Sequence, residues 1–82
     1  MDTAQKAARA KALLDDPILK EAFDVIEKAQ ISTFTDQVCD AEQLMEAHRT
    51  VRALRLLQGQ LTSFITDGTL LERRNMKGQH RG

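Results

Sequence analysis

The stretch DAEQLMEAHRTVRALRLLQGQLTSFITDG, from Asp40 to Gly68, decides how this chain folds. Its first residues, Asp40-Ala41-Glu42-Gln43, have the form of a capping box, in which the cap side chain accepts an amide proton three residues on and Gln43 reaches back. A helix therefore starts at Ala41, with Cys39 placed to touch Leu44 as a hydrophobic staple. Leu44, Val51, Gln58 and Ile65 recur every seven residues; Ala47, Leu54 and Leu61 form a second sevenfold series, and Leu57 and Phe64 widen the stripe. That spacing is a coiled-coil-like seam. Asp67-Gly68 predicts its end, because glycine readily takes the left-handed conformation that closes a helix.

Working back from this helix, Asp15-Asp16-Pro17 marks another start: Asp16 is a good cap, and proline at the first helical position gives up an amide that has no partner anyway. Ile18, Leu19, Ala22, Phe23, Ile26 and Ala29 then recur at spacings of three and four, which predicts one core-facing stripe. The β-branched and hydroxyl run Ile31-Ser32-Thr33-Phe34-Thr35 predicts fraying near its end. Before Asp15, the alanine-rich segment Thr3 to Leu14 is a strong helix former with little apolar surface, an arm that needs a neighbour.

The expected fold is all-α: an antiparallel helical hairpin (17–34 and 41–67) within residues 15–68, a helical arm over 1–14, and a short turn with a basic tail over 69–82. In the tail, Thr69 and Glu72 can cap one further turn through Leu70 and Leu71. The seam fits either an intramolecular hairpin or contact between chains, and the two coexist, since Leu54, Leu56, Leu57, Leu61, Leu70 and Leu71 exceed what one facing helix covers. A chain of 82 residues is also marginal as a lone compact monomer. The expected protein interface is Leu44, Val51, Leu54, Leu57, Leu61, Phe64, Ile65, Leu70 and Leu71, the partner being a further copy or a larger subunit.

Twelve basic and twelve acidic side chains cancel, but in blocks. Residues 1–14 hold Lys6, Arg9 and Lys11 against Asp2, net +2; residues 69–82 hold Arg73, Arg74, Lys77 and Arg81 against Glu72, net +3; residues 15–68 hold ten acids and five bases, net −5. Both ends of the sequence are thus positive around an acidic hairpin, and head-to-tail contact between copies is one expected consequence. Arg73, Arg74, Lys77 and Arg81 are candidate contacts for an anionic partner such as nucleic acid, or a solubilising tail. Arg49, Arg52 and Arg55 read better as a solvated face, with Glu46 one turn before Arg49.

The chemistry of known sites finds little here. Cys39, His48 and His80 are isolated, without metal-binding spacing, and the four glycines form no phosphate loop. Neither a cofactor nor an enzyme is expected. Three phenylalanines and no other aromatic residue leave little with which to stack unpaired bases. A single cysteine and a start without an apolar core point to a reducing, intracellular setting, and charges interrupt every leucine-rich run, so no membrane span is expected.

Ala12-Leu13-Leu14-Asp15-Asp16-Pro17-Ile18-Leu19-Lys20-Glu21-Ala22-Phe23, followed by Arg52-Ala53-Leu54-Arg55 and then Leu61, Ile65, Asp67, Gly68 and Leu70, resembles small helical proteins encoded in the head and neck gene clusters of tailed bacteriophages. The resemblance spans roughly residues 10–71. It implies a non-enzymatic virion or assembly component that binds capsid, portal or neck subunits in many copies, made in the cytoplasm of a bacterial host and incorporated into the virion. The alternatives are a nucleic-acid-binding packaging factor and a small regulatory adaptor of the host.

Overall fold

The computed structural model describes residues 1–79, with side chains through Met76, as three helices and no strand among the described residues: α1 (Thr3–Asp15), α2 (Pro17–Thr35) and α3 (Ala41–Gln79). Each start is set by a side chain next to it in sequence. Asp16 Oδ1 accepts from the amides of Ile18 at 2.9 Å and Leu19 at 3.0 Å, with Pro17 first in the helix. At α3, Gln43 N donates to Asp40 Oδ1 at 2.8 Å and Asp40 N donates to Gln43 Oε1 at 3.0 Å, closing the expected box. The same device opens α1 through Asp2 and Gln5, a start the sequence reading passed over although Asp2-x-x-Gln5 has the spacing of Asp40-x-x-Gln43.

Asp16 alone separates α1 from α2. It serves both helices: its extended backbone ends α1, with its amide donating to Leu13 O at 3.2 Å, while its carboxylate begins α2. At the far end of α2 the run is helical to Thr35, with the hydroxyls of Thr33 and Thr35 donating to the carbonyls of Ala29 and Ser32. Asp36 then accepts from the Val38 amide at 2.9 Å in the connection to α3.

α3 corrects two expectations. It does not stop at Asp67-Gly68 but continues to Gln79, 39 residues in all, and no glycine among the described residues has positive φ. Residues 69–79 are therefore helix and not a turn leading into a tail. Thr69 caps nothing; it lies inside α3, with its hydroxyl donating to Ile65 O at 3.1 Å. The good helix formers Leu70 to Arg74 carry the helix onward. Lys77 lies in α3 with its side chain outside the described residues, and Arg81 is outside them altogether.

Both short helices lie along α3. Ala7 of α1 sits against Gly68, the Lys6 ammonium lies 5.8 Å from the centre of the Phe64 ring, and Glu27 of α2 meets Arg55 at 3.6 Å. Gly68 is buried and is the next sevenfold step after Ala47, Leu54 and Leu61. Here the series needs a residue without a side chain, because a Cβ at Gly68 would collide with the Cβ of Ala7. Among the described residues Ala10 and Ala47 are the buried apolar side chains, each 2% exposed, and no large side chain is fully enclosed. Close backbone approach over small residues takes the place of a leucine core.

Candidate protein-interaction face

The surface is large for the mass. A compact monomer of 9.2 kDa exposes about 4,900 Å². This chain exposes 6810 Å², with a Cα radius of gyration of 18.4 Å where a globular chain of its length has roughly 12 Å. Its longest extent is 67 Å. Such a rod leaves apolar side chains uncovered along its length.

The expected interface residues divide into two sets. Leu44, Val51, Leu54, Leu61, Phe64 and Ile65 are half-buried, spent largely within the chain. Leu57, Leu70 and Leu71 are exposed, as is Leu56, which the sequence reading counted among the surplus leucines. The stripe on α2 divides as well, which corrects the expectation of one core-facing row: Leu19 and Phe23 are half-buried, whereas Ile18, Ala22, Ile26 and Ala29 are exposed. The stripe is wider than a single facing helix covers. Val25, 60% exposed, was absent from the sequence reading, although Ile18-Ala22-Val25-Ala29 steps by four, three and four as a helix-facing row does.

Helical phase shows which exposed rows share a side. At 100° per residue, Glu27 lies to one side of the α2 seam residues Leu19 and Phe23, and the Ile18-Ala22-Val25-Ala29 row lies to the other. Around α3, Arg55 lies to one side of the Leu54/Leu61 seam, and Leu57, Phe64 and Leu71 to the other. Glu27 and Arg55 meet. The two apolar rows must then lie together on the opposite side of the rod. Lys6 against Phe64 and the exposed Leu13 continue that side along α1. Through the middle of the rod one broad face is thus apolar, with Glu46 and Lys6 on the same side toward its two ends, and the other face carries Lys20, Glu27, Arg52 and Arg55.

The sign of the charge varies along the rod. The connection and the first turn and a half of α3 hold Asp36, Asp40, Glu42 and Glu46, with no Lys or Arg between residues 36 and 46. At the other end, Lys6, Arg9 and Lys11 of α1 lie toward Arg73 and Arg74 of α3, both exposed. An open hollow at the acidic end is lined by Gln30, Thr33, Asp36, Cys39 and Asp40 among others, yet no group of His, Cys, Asp and Glu among the described residues is disposed to hold a metal ion. Cys39 is half-buried, its thiol 3.6 Å from the Asp40 carbonyl oxygen. Partial burial, then the charges of Asp40 and Asp36, push its pKa above the usual thiol value, the opposite of an activated nucleophile.

No described helix is long and apolar enough to cross a membrane. No protein-family model matches the chain, and neither a curated protein nor a solved structure is similar to it.

Proposed function

We propose that this chain is a non-enzymatic helical interaction protein: an antiparallel hairpin, α1 and α2 against α3, whose apolar face is covered by other protein chains. What supports the reading is the excess of exposed surface, 6810 Å² against about 4,900 Å², lying partly in continuous apolar rows. Scattered exposed leucines are ordinary on a monomer; rows aligned on one face are the mark of an interaction surface. The specific form, a bacteriophage head or neck component seated on capsid, portal or neck subunits, rests on the sequence pattern quoted above. Its test is to measure the native mass and composition of purified particles. Particles with this chain in fixed stoichiometry bear the proposal out, and intact particles without it refute the virion assignment. A competing reading, nucleic-acid binding at the basic end, draws on the exposed Arg73 and Arg74; it requires DNA retention that falls steeply with added salt.

A further inference from the structure

We propose that the occupant of the apolar face is a second copy of this chain, laid against it face to face and antiparallel, so that two rods form a four-helix bundle. This rests on the interaction reading above and names the partner for it.

Two observations allow a copy in this place, and a third selects it. The first is area. The surface in excess of a compact monomer, near 1,900 Å², is more than twice the roughly 800 Å² that each partner contributes to a stable interface. The second is the makeup of the face, in which Leu13, Ile18, Ala22, Val25, Leu57 and Leu71 mix large and small apolar side chains along two parallel rows. Two such faces bring four helices in cross-section around one apolar centre, with α3 against α3 and, on either side of a two-fold axis near Ala22, α2 of one copy running toward α1 of the other. Bundles of this kind accept shallow crossing angles and short connections, both compatible with a straight rod.

The third observation is charge, and it selects the orientation. One end of the rod carries Asp36, Asp40, Glu42 and Glu46; the other carries Lys6, Arg9, Lys11, Arg73 and Arg74. Parallel stacking would bring like ends together. Antiparallel stacking sets each acidic end beside a basic one, and like-charge contact disfavours the alternative register. A closed two-fold also uses the whole apolar face of both copies, leaving none to recruit a third.

The native cysteine reports the arrangement. Cys39 lies at the acidic end of a rod 67 Å long, so in the antiparallel pair the two Cys39 thiols are near opposite ends and a short bis-maleimide cannot join them. Ala22 is close to the middle of the rod on the apolar face, so A22C in a C39S background lies near the two-fold axis and is joined to its own counterpart. Sedimentation equilibrium of the full chain is expected to give twice the 9.2 kDa chain mass. Val25→Lys, at a position exposed in the single chain, keeps the helical signal while raising the dimer dissociation constant by roughly a hundredfold or more, because two cations must enter the apolar centre. A full-length chain that stays monomeric at 100 µM (about 0.9 mg/ml) overturns the proposal, as does a mass above the dimer. Cys39 linking to Cys39 as readily as A22C links to itself overturns the antiparallel orientation. Small-angle scattering separates this failure from that of the wider reading: a monomer that keeps a radius near 18 Å refutes only the second copy, whereas one that contracts toward roughly 12 Å refutes both.

Discussion

Gly59 and Gly68 occupy the same helix nine residues apart, and the same substitution is expected to stabilise the first and not the second. A Cβ added at Gly59 meets nothing within 4 Å, so Gly59→Ala gains the helix-propensity difference, about 1 kcal/mol. Gly68→Ala gains the same amount but drives its new methyl into the Cβ of Ala7, a stub with no rotamer to move aside; the next nearest atoms, Ala7 Cα and Thr3 O, are at an ordinary 3.9 Å. Relief requires α1 to shift as a unit, and overpacking of this kind costs about 1–3 kcal/mol. The propensity gain is common to both variants and cancels in the comparison. G59A is therefore expected to be more stable than G68A by the overpacking cost alone, about 1–3 kcal/mol, or roughly 4–8 °C of midpoint per kcal/mol for a chain of this size. Thermal and urea unfolding followed by circular dichroism at one fixed protein concentration measures it. The double variant A7G/G68A returns the missing space from the other side, and its stability is expected close to that of the unmodified chain, since one alanine gained offsets one lost. If G68A stabilises as much as G59A, α1 does not approach α3 through this pair, and the account of the small-residue seam is wrong.

Removing the Asp40 carboxylate oxygen with Asp40→Ala, or that of Asp16 with Asp16→Ala, should cost about 1 kcal/mol of unfolding free energy, while Asn at either position costs little; equal losses for Ala and Asn would point to charge and not to the cap hydrogen bond. Leu54→Asp sets a carboxylate in the half-buried seam and is expected to lower stability by about 2 kcal/mol or more, against less than about 0.5 kcal/mol for Arg49→Ala on the exposed side; unfolding titrations giving similar values would reverse the assignment of faces. The thiolate is the reactive form of cysteine, so a raised pKa leaves Cys39 with less of it near pH 8 and slower alkylation than a free model thiol. Asp36→Asn and Asp40→Asn keep an oxygen acceptor while removing charge, and each should speed that reaction; an unchanged rate would assign the slowness to burial alone.

The helix starts were legible because they are local: Asp16 with Pro17, and Asp40 with Gln43, act on amides two or three residues away. The end of α3 was not, because a glycine that closes a helix and a glycine that admits a neighbouring backbone look alike in one dimension. What distinguishes Gly68 is Ala7, 61 positions earlier, a contact that no local pattern encodes. Its place on the Ala47-Leu54-Leu61 series was the available sign. The α2 stripe was misread for a related reason: periodicity shows which residues share a side but not how much of that side the partner covers. Leu19 and Phe23 touch the seam, and Ile18 and Val25, one step around, do not. The expected interface at Leu57, Leu70 and Leu71 corresponds to side chains the fold leaves exposed, whereas Leu44, Val51, Leu54, Leu61, Phe64 and Ile65 are taken up mostly by the chain's own pairing.

The joint at Asp16 gives the amino-terminal segment a separable character. Everything that launches α2, the carboxylate with its two amide bonds and the proline behind it, lies at or beyond position 16. Excision of residues 1–15 would therefore bare the groove around Gly68 while leaving the cap that starts α2 intact. A seam of alanines and one glycine lets the backbones of α1 and α3 approach closely, so the carboxyl-terminal half of α3 draws its cover from α1 and should exchange its amide hydrogens faster once residues 1–15 are gone.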